Sequence, residues 1–211
     1  AVLREVQAAF AGMSRGEAPA VAPVAWHGGV LSKRLDGCSQ SHLVLGFPVP
    51  AREADDPTAA MAAALLGEGM SSPLLDRLRE QRALAYYAAC SADVLAGAGQ
   101  FVIEVSTSPA QLEPTLRELS QLLREQAGQV DPVDLERARN QLAVRQLRAL
   151  ERPLRRLEDA ALEVFTFGRV RPADEVLARL HAVGADALCE QFTRMRDAGA
   201  ALALAGQLPR A

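Results

Sequence analysis

The stretch Gly67-Glu-Gly-Met-Ser-Ser-Pro-Leu-Leu-Asp-Arg-Leu-Arg-Glu-Gln-Arg-Ala-Leu-Ala-Tyr86 carries three local-structure signals in a row. Its first glycine ends an alanine-rich buried helix predicted over residues 54–66. Ser72 is a suitable N-cap and Pro73 a suitable first residue for a second helix. The glycines superficially resemble an anion-binding loop, but they follow a helix rather than a strand and lack the lysine of a P-loop. We therefore interpret them as the end of one helix and the start of the next.

Strand patterns lie on both sides of this stretch. Two strands are predicted between His27 and Pro50, and the second is the clearer because Leu43, Leu45 and Phe47 alternate with less apolar residues. A hairpin is predicted from Tyr86–Ala92 and Gln100–Thr107, joined through the glycine-containing residues 96–99. These runs indicate an antiparallel arrangement, because short connections join antiparallel neighbours.

The rest of the chain is predominantly helical in pattern. Helices are predicted over residues 109–126, 131–150, 153–166, 172–181 and 184–196, with a last strand over 200–205. Strands followed by helices predict the α+β class, with an antiparallel sheet covered on one face by helices. Residues 1–25 are expected to be a short helix and an extended linker, so that the domain proper occupies residues 26–211 and begins near Trp26.

Composition excludes several functional classes. The 211 residues are 49% apolar and 23% charged, which is typical of a soluble globular protein. A net charge of -3 and few aromatic residues argue against nucleic-acid binding. The longest apolar runs fall short of the roughly 18 residues of a membrane span. The three separated cysteines are interpreted as small buried side chains, and the arginines between Arg137 and Arg156 as a solvated helix face.

No metal site is predicted in this chain. His27, His42 and His181 are scattered, and neither H-E-x-x-H nor H-x-x-E-H occurs. A hydrolase that uses Cys90, or a serine with His42, is an alternative for which no local sequence signal exists.

The stretch from Gly67 to Tyr86 resembles the signature of the C-terminal, zinc-free half of insulinase/pitrilysin-type zinc metallopeptidases, the inverzincin family that includes the mitochondrial processing peptidases. That signature has a glycine-rich turn, Met-Ser-Ser, a helix, and Arg-Glu-Lys-Arg-Gly-Leu-Ala-Tyr. Similar segments occur in the family's order before this stretch, at Gln40–Pro50, and after it, at Gly99–Pro109, Asp134–Gln141, Phe167–Arg169 and Asp174–Glu175. The resemblance extends over about residues 1–208, with residues 1–25 similar to the tail of the preceding half.

The resemblance implies a role for two residues. In this family two similar halves enclose a peptide chamber; the first half carries zinc on H-x-x-E-H, and the second contributes an arginine and a tyrosine that reach the substrate. The matching positions here are Arg79 and Tyr86. Strand alternation would turn Tyr87 to the opposite face, so Tyr86 is preferred. The family's glycine is replaced by Ala83, which restricts the turn before the strand, and Pro73 stands where an arginine is common.

The sequence therefore predicts the non-zinc half of a bacterial-type metallopeptidase, inactive alone, whose partners are a zinc-bearing half and a peptide substrate. The alternative is a degenerate, non-catalytic subunit that binds a partner. The chain is expected to be a fragment of something longer, and its compartment, cytoplasm or periplasm, stays open.

Overall fold

A computed structural model describes residues 1–14, 16, 22 and 24–208. Most of the predicted linker, residues 16–23, lies outside the described residues. The helices and strands follow in this order: α1 (Val2–Phe10), β1 (Gly29–Arg34), β2 (Ser41–Val49), α2 (Thr58–Gly67), α3 (Pro73–Leu75), β3 (Ala85–Leu95), β4 (Ala98–Thr107), α4 (Leu112–Gly128), α5 (Pro132–Leu150), α6 (Pro153–Phe167), α7 (Ala173–Ala182), α8 (Ala185–Ala198) and β5 (Ala201–Gly206).

The five strands form one sheet in the order β1-β5-β2-β4-β3. The β5–β2, β2–β4 and β4–β3 pairs are antiparallel, whereas β1 and β5 pair in parallel. Strands joined by a short turn must run antiparallel, but β1 and β5 are separated by most of the chain and carry no such constraint. The predicted α+β class is confirmed, and the parallel pair at the β1 edge is a feature that the sequence pattern did not specify.

The predicted alternation in the second strand places the core on one face of the sheet. Leu43, Leu45 and Phe47 are buried, whereas His42 and Val44 between them are exposed. On the neighbouring strand β4, Phe101 meets Phe192 of α8 edge to face, with 6.3 Å between the ring centroids. Such aromatic pairs stabilise a core by more than their buried area alone. The helices therefore cover this face.

Helix α2 lies at the centre of the helical layer and is buried along almost its whole length. A helix that is apolar on all sides is expected in such a position, and the predicted end at Gly67 is confirmed. The helix begins later than predicted, because Asp55 adopts a left-handed conformation and Asp56 Oδ1 accepts the Thr58 N–H at 2.9 Å. A Cβ at Gly67 would lie 2.6 Å from Cys90 Sγ, so only glycine allows this approach to β3.

The remaining helices are close to their predicted positions. Helix α8 packs against α4 and β2, while α5 packs against α2, α6 and α7. Asp131 caps α5 as predicted, since its Oδ1 accepts the Val133 N–H at 2.7 Å. Every residue of α1 is exposed. Within the described ranges, no helix is long and apolar enough to cross a membrane.

Arg137 corrects the interpretation of the arginine-rich segment as a solvated face. Its guanidinium donates to the carbonyl oxygens of Leu65 and Glu68, both at 2.7 Å, and only 18% of its side chain is exposed. These carbonyl oxygens lie at the C-terminal end of α2, where the last carbonyl groups of a helix accept no hydrogen bond from within the helix. Arg137 therefore caps α2 from a neighbouring helix.

Arg171 connects the α6–α7 region to the loop before α2. Its guanidinium pairs with Glu163 at 2.5 Å and with Asp55, and it lies 4.1 Å above the Phe167 ring. Its side chain is only 10% exposed. An arginine with this many partners in a partly buried position stabilises the packing of α6 and α7 on the rest of the domain.

This ion pair predicts an acid-sensitive component of stability. The hydrogen bonds from Arg171 hold the pKa of Glu163 below its usual range, despite the opposing effect of burial. A carboxylate with a lowered folded-state pKa stabilises the fold above its unfolded pKa of about 4.3, and this contribution is lost as pH falls through the folded value. We expect urea denaturation to show that Glu163→Gln weakens the decline of unfolding free energy below about pH 4.3. An unchanged acid profile in this variant would contradict the assignment.

Candidate functional site

Arg79 lies in a short π-helical segment, Asp76–Gln81, that continues directly from α3. The predicted second helix is therefore one short α-helical turn followed by a wider turn. Ser72 occupies the predicted N-cap position, but its buried hydroxyl makes no hydrogen bond within the described residues. Wide turns of this kind are uncommon and often occur at functional sites.

The π-helical segment is anchored on its inner side. Arg77 donates to Glu125 Oε2 at 2.7 Å and to Glu118 Oε2 at 3.3 Å, both on α4, and Leu78 is completely buried. Arg79 is half exposed. Its guanidinium lies 3.7 Å from Glu80 Oε1 and 3.9 Å from Met70 Sδ. Its guanidinium is consequently available to a ligand.

The turn between Arg79 and β3 depends on Ala83. This residue has a φ of +49°, in the left-handed region that the family's glycine adopts without a steric penalty. Its N–H donates to the Arg79 carbonyl at 3.2 Å, and the Leu84 N–H donates to the Leu78 carbonyl at 2.7 Å. These two bonds close the wide turn and fix the direction in which the chain enters β3.

Replacing Ala83 by glycine should stabilise the protein. Relief of the left-handed strain exceeds the added entropy of the unfolded chain, so we expect the free energy of unfolding to rise by about 0.5–1 kcal/mol in urea denaturation. The control is Ala85→Gly at the first residue of β3, which should lower that free energy by about 0.5–1 kcal/mol. A loss of stability in Ala83→Gly would refute the strain.

Tyr86 is the extra residue of a β-bulge. Ala85 is paired with Thr107 and Tyr87 with Ser106, so Tyr86 has no partner on β4. Regular alternation is interrupted at this point, and both tyrosines are exposed, Tyr86 at 66% and Tyr87 at 51%. The alternation argument that preferred Tyr86 to Tyr87 therefore does not apply across the bulge, although a bulge is a frequent way of redirecting a functional side chain.

The start of β3 is held by a buried hydroxyl. Thr107 Oγ1 donates to the Leu84 carbonyl at 2.6 Å, and Thr115 Oγ1 lies 3.3 Å from Thr107 Oγ1. Both threonines are fully buried. The backbone that connects Arg79 with Tyr86 is thus fixed at the π-helical segment and again at the bulge.

This geometry brings two exposed hydrogen-bond donors to one end of the edge strand β3. Within the part of the chain that is described, Arg79 and Tyr86 make no hydrogen bond with each other. A guanidinium and a phenol can both donate to a carbonyl oxygen, and more strongly as that oxygen gains negative charge.

The other candidate groups show different surroundings. His42 Nδ1 and Ser106 Oγ lie 2.8 Å apart on the sheet face away from the helices. Burial raises the pKa of the Cys90 thiol, which disfavours the nucleophilic thiolate. The described residues contain no group of three or more His, Cys, Asp or Glu that could hold a metal ion. The residues present therefore do not fit a zinc site.

The five-stranded α+β sheet with its one-sided helical cover is the fold expected of a peptidase-like half-domain. The chain belongs to the Peptidase M16 inactive domain family, whose model matches residues 6–142. This match confirms the resemblance found in the sequence.

Individual relatives agree with this family. An uncharacterized zinc protease of Rickettsia bellii is 26% identical over 209 residues, which cover 97% of this chain and 50% of that protein. An uncharacterized zinc protease of Streptomyces coelicolor is 30% identical over 88% of this chain and 42% of its own length. The fold is similar to the crystal structure of a peptidase M16 inactive domain from Pseudomonas fluorescens, with a TM-score of 0.78, 17% identity and coverage of 92% and 48% of the two chains. The chain spans about half the length of the curated relatives it matches.

Proposed function

We propose that this chain is the zinc-free half of a zinc metallopeptidase and forms one wall of its peptide chamber. In this proposal residues 26–211 are the peptidase-like domain and residues 1–25 are the tail and linker of the preceding half. The observation that carries the proposal is the pair of exposed donors, Arg79 and Tyr86, on an anchored turn and bulge. The family and the zinc-protease names of relatives about twice as long support it.

The proposed partner is a zinc-bearing half, present in the same polypeptide or as a separate subunit. Because this chain lacks a set of metal ligands in its described residues, we expect it to be inactive alone. Arg79 and Tyr86 would donate to the carbonyl oxygen of the scissile peptide and stabilise the negative charge that develops there during hydrolysis.

The edge strand offers a way to hold the substrate. The two edge strands of the sheet are β1 and β3, and Tyr86 is the second residue of β3. Among the described residues the outer side of β3 has no strand partner, so an extended peptide could add to it through main-chain hydrogen bonds. Such a peptide would run toward the Tyr86 hydroxyl.

Arg79 provides a test in the assembled enzyme. Loss of a charged hydrogen bond should make Arg79→Ala about 10- to 100-fold lower in kcat/KM, and Arg79→Lys should retain part of that activity. The matched control is Arg82→Ala, because Arg82 is similarly exposed but pairs with Glu118 on α4 at 3.6 Å. Equal losses in the two alanine variants would show that Arg79 has no specific role.

A further inference from the structure

A wide cleft lies at the corner between α5 and α6, and neither Arg79 nor Tyr86 lines it. Its volume is about 1740 Å³, and its walls come from α5, α6, α2 and the far end of β3. Pockets for small molecules usually measure about 300–1,000 Å³. A cleft of this size, open to solvent and bounded by an edge strand, is better suited to a segment of polypeptide than to a small ligand.

The cleft has the opposite charge to the chain as a whole. Seven arginines and four carboxylates line it, an excess of three positive charges, whereas the complete chain has a net charge of -3. The arginines are Arg52, Arg145, Arg148, Arg152, Arg155, Arg156 and Arg171. A concave surface lined by one sign of charge attracts ligands of the other sign.

Several of these arginines have no counter-charge. Arg145 pairs with Glu68, and Arg155 lies 3.1 Å from Asp159, so those two are neutralised within the protein. Arg148, Arg152 and Arg156, by contrast, make no ion pair with any described residue. Arg148 lies in the last turn of α5, Arg152 is the N-cap residue of α6 and Arg156 lies in its first turn, so all three cations lie around the α5–α6 corner. An anionic ligand would supply the missing counter-charge.

Apolar side chains lie between the charges. Val144 on α5 and Leu157 on α6 line the cleft while remaining 49% and 67% exposed, and Val94 of β3 forms part of the opposite wall. Glu151 also lines the cleft without an ion pair in the described structure, so the positive field is not uniform. A ligand that matches this surface has both carboxylates and aliphatic groups.

We propose that this cleft binds an acidic, aliphatic segment of an extended polypeptide. Its carboxylates would pair with Arg148, Arg152 and Arg156, and its aliphatic side chains would contact Val144 and Leu157. The inference goes beyond the proposed function, because the binding needs neither the zinc-bearing half nor Arg79 and Tyr86. The cleft would give the chain a preference for acidic peptides. This proposal can fail while the catalytic proposal holds.

The test is a binding measurement by fluorescence anisotropy on the 211-residue chain. The probes are labelled peptides in which valine alternates with either glutamate or lysine. We expect the glutamate peptide to bind about tenfold more tightly or better, and to weaken as added salt screens the arginines. Arg148→Glu combined with Arg152→Glu should weaken its binding by about tenfold or more. Arg124→Glu, an exposed unpaired arginine on α4, should change binding by less than about twofold.

Each of the following results would overturn the proposal: equal binding of the two peptides, an equally large effect of Arg124→Glu, or tighter binding of inorganic phosphate or a single-stranded oligonucleotide than of the glutamate peptide. A second double variant, Arg52→Glu with Arg156→Glu, keeps the test possible if the first double variant does not fold, because it changes the charge of the cleft at two other positions. Thermal unfolding of each variant shows that the fold is intact. Unaltered peptide binding in both folded double variants would also contradict the site.

Discussion

Replacing Tyr86 by phenylalanine should lower kcat of the assembled two-half enzyme by about 10²- to 10³-fold, the usual effect of removing one oxyanion donor. The substitution removes only the hydroxyl, and the side chain is 66% exposed, so little packing is lost. An interaction that forms mainly in the transition state affects kcat more than KM. Zinc content should stay unchanged, because the metal is proposed to reside in the other half.

Tyr87→Phe is the matched control for this prediction. Tyr87 is also exposed, but it lies opposite Ser106 in the regular β3–β4 ladder rather than at the bulge. Its variant should retain kcat within about twofold. If Tyr87→Phe showed the large loss and Tyr86→Phe did not, the bulge would direct the other tyrosine to the substrate. An unchanged kcat in both would remove the tyrosine from the mechanism.

Replacing Arg171 by alanine should cost about 2–3 kcal/mol of unfolding free energy, because it leaves a partly buried carboxylate without its charged hydrogen bonds. Glu163 is only 16% exposed, and it would lose its two hydrogen bonds from Arg171. Asp55 would lose one of its two arginine partners, and the Phe167 ring would lose its cation. Urea denaturation monitored by circular dichroism measures this loss.

Arg169→Ala is the control for this second prediction. Arg169 lies two residues earlier and forms a bidentate pair with Glu175, but that pair is on the exposed surface. Surface pairs contribute little, so this variant should be far less destabilised than Arg171→Ala. Replacing Arg171 and Glu163 together by Met and Leu should restore much of the stability, because no unpaired charge remains. Equal effects of the two alanine variants would contradict the account.

The features predicted correctly from the sequence depend on short-range patterns. Alternation of Leu43, Leu45 and Phe47 indicated which face of β2 is buried, and the alanine-rich composition of α2 indicated a helix buried on all sides. Asp131 followed by Pro132 predicted the start of α5 within one residue. In each case the residues that determine the structure lie within one or two turns of one another.

The features that the sequence did not reveal depend on distant partners. The residues that flank Arg137 in the sequence resemble those that flank its solvated neighbours. Its hydrogen-bond acceptors, however, are the carbonyl oxygens of Leu65 and Glu68, about seventy positions earlier. Nothing local distinguishes these alternatives, because tertiary packing decides which side of a helix meets the rest of the domain.

The assignment of Arg79 and Tyr86 to a site stays a prediction from the motif. The family's glycine at position 83 indicated a special backbone conformation, which Ala83 adopts. The π-helical turn and the bulge were not predicted, because each accommodates an extra residue through contacts with distant elements rather than through local propensity. The π-helical turn is held by the Arg77–Glu125 hydrogen bond to α4, and the bulge is held by pairing with β4. The basic cleft was missed because its arginines alternate with acids along the chain, and only the fold separates the paired from the unpaired ones.

The most direct test of the central claim is to measure zinc content and peptidase activity of this chain alone, and again after mixing it with the region encoded immediately upstream. We expect neither zinc nor activity in the isolated chain, and both in the mixture. A stable but inactive, zinc-free complex would contradict the catalytic role and favour a non-catalytic interaction subunit. Stoichiometric zinc in the isolated chain would contradict the assignment of the metal to the other half.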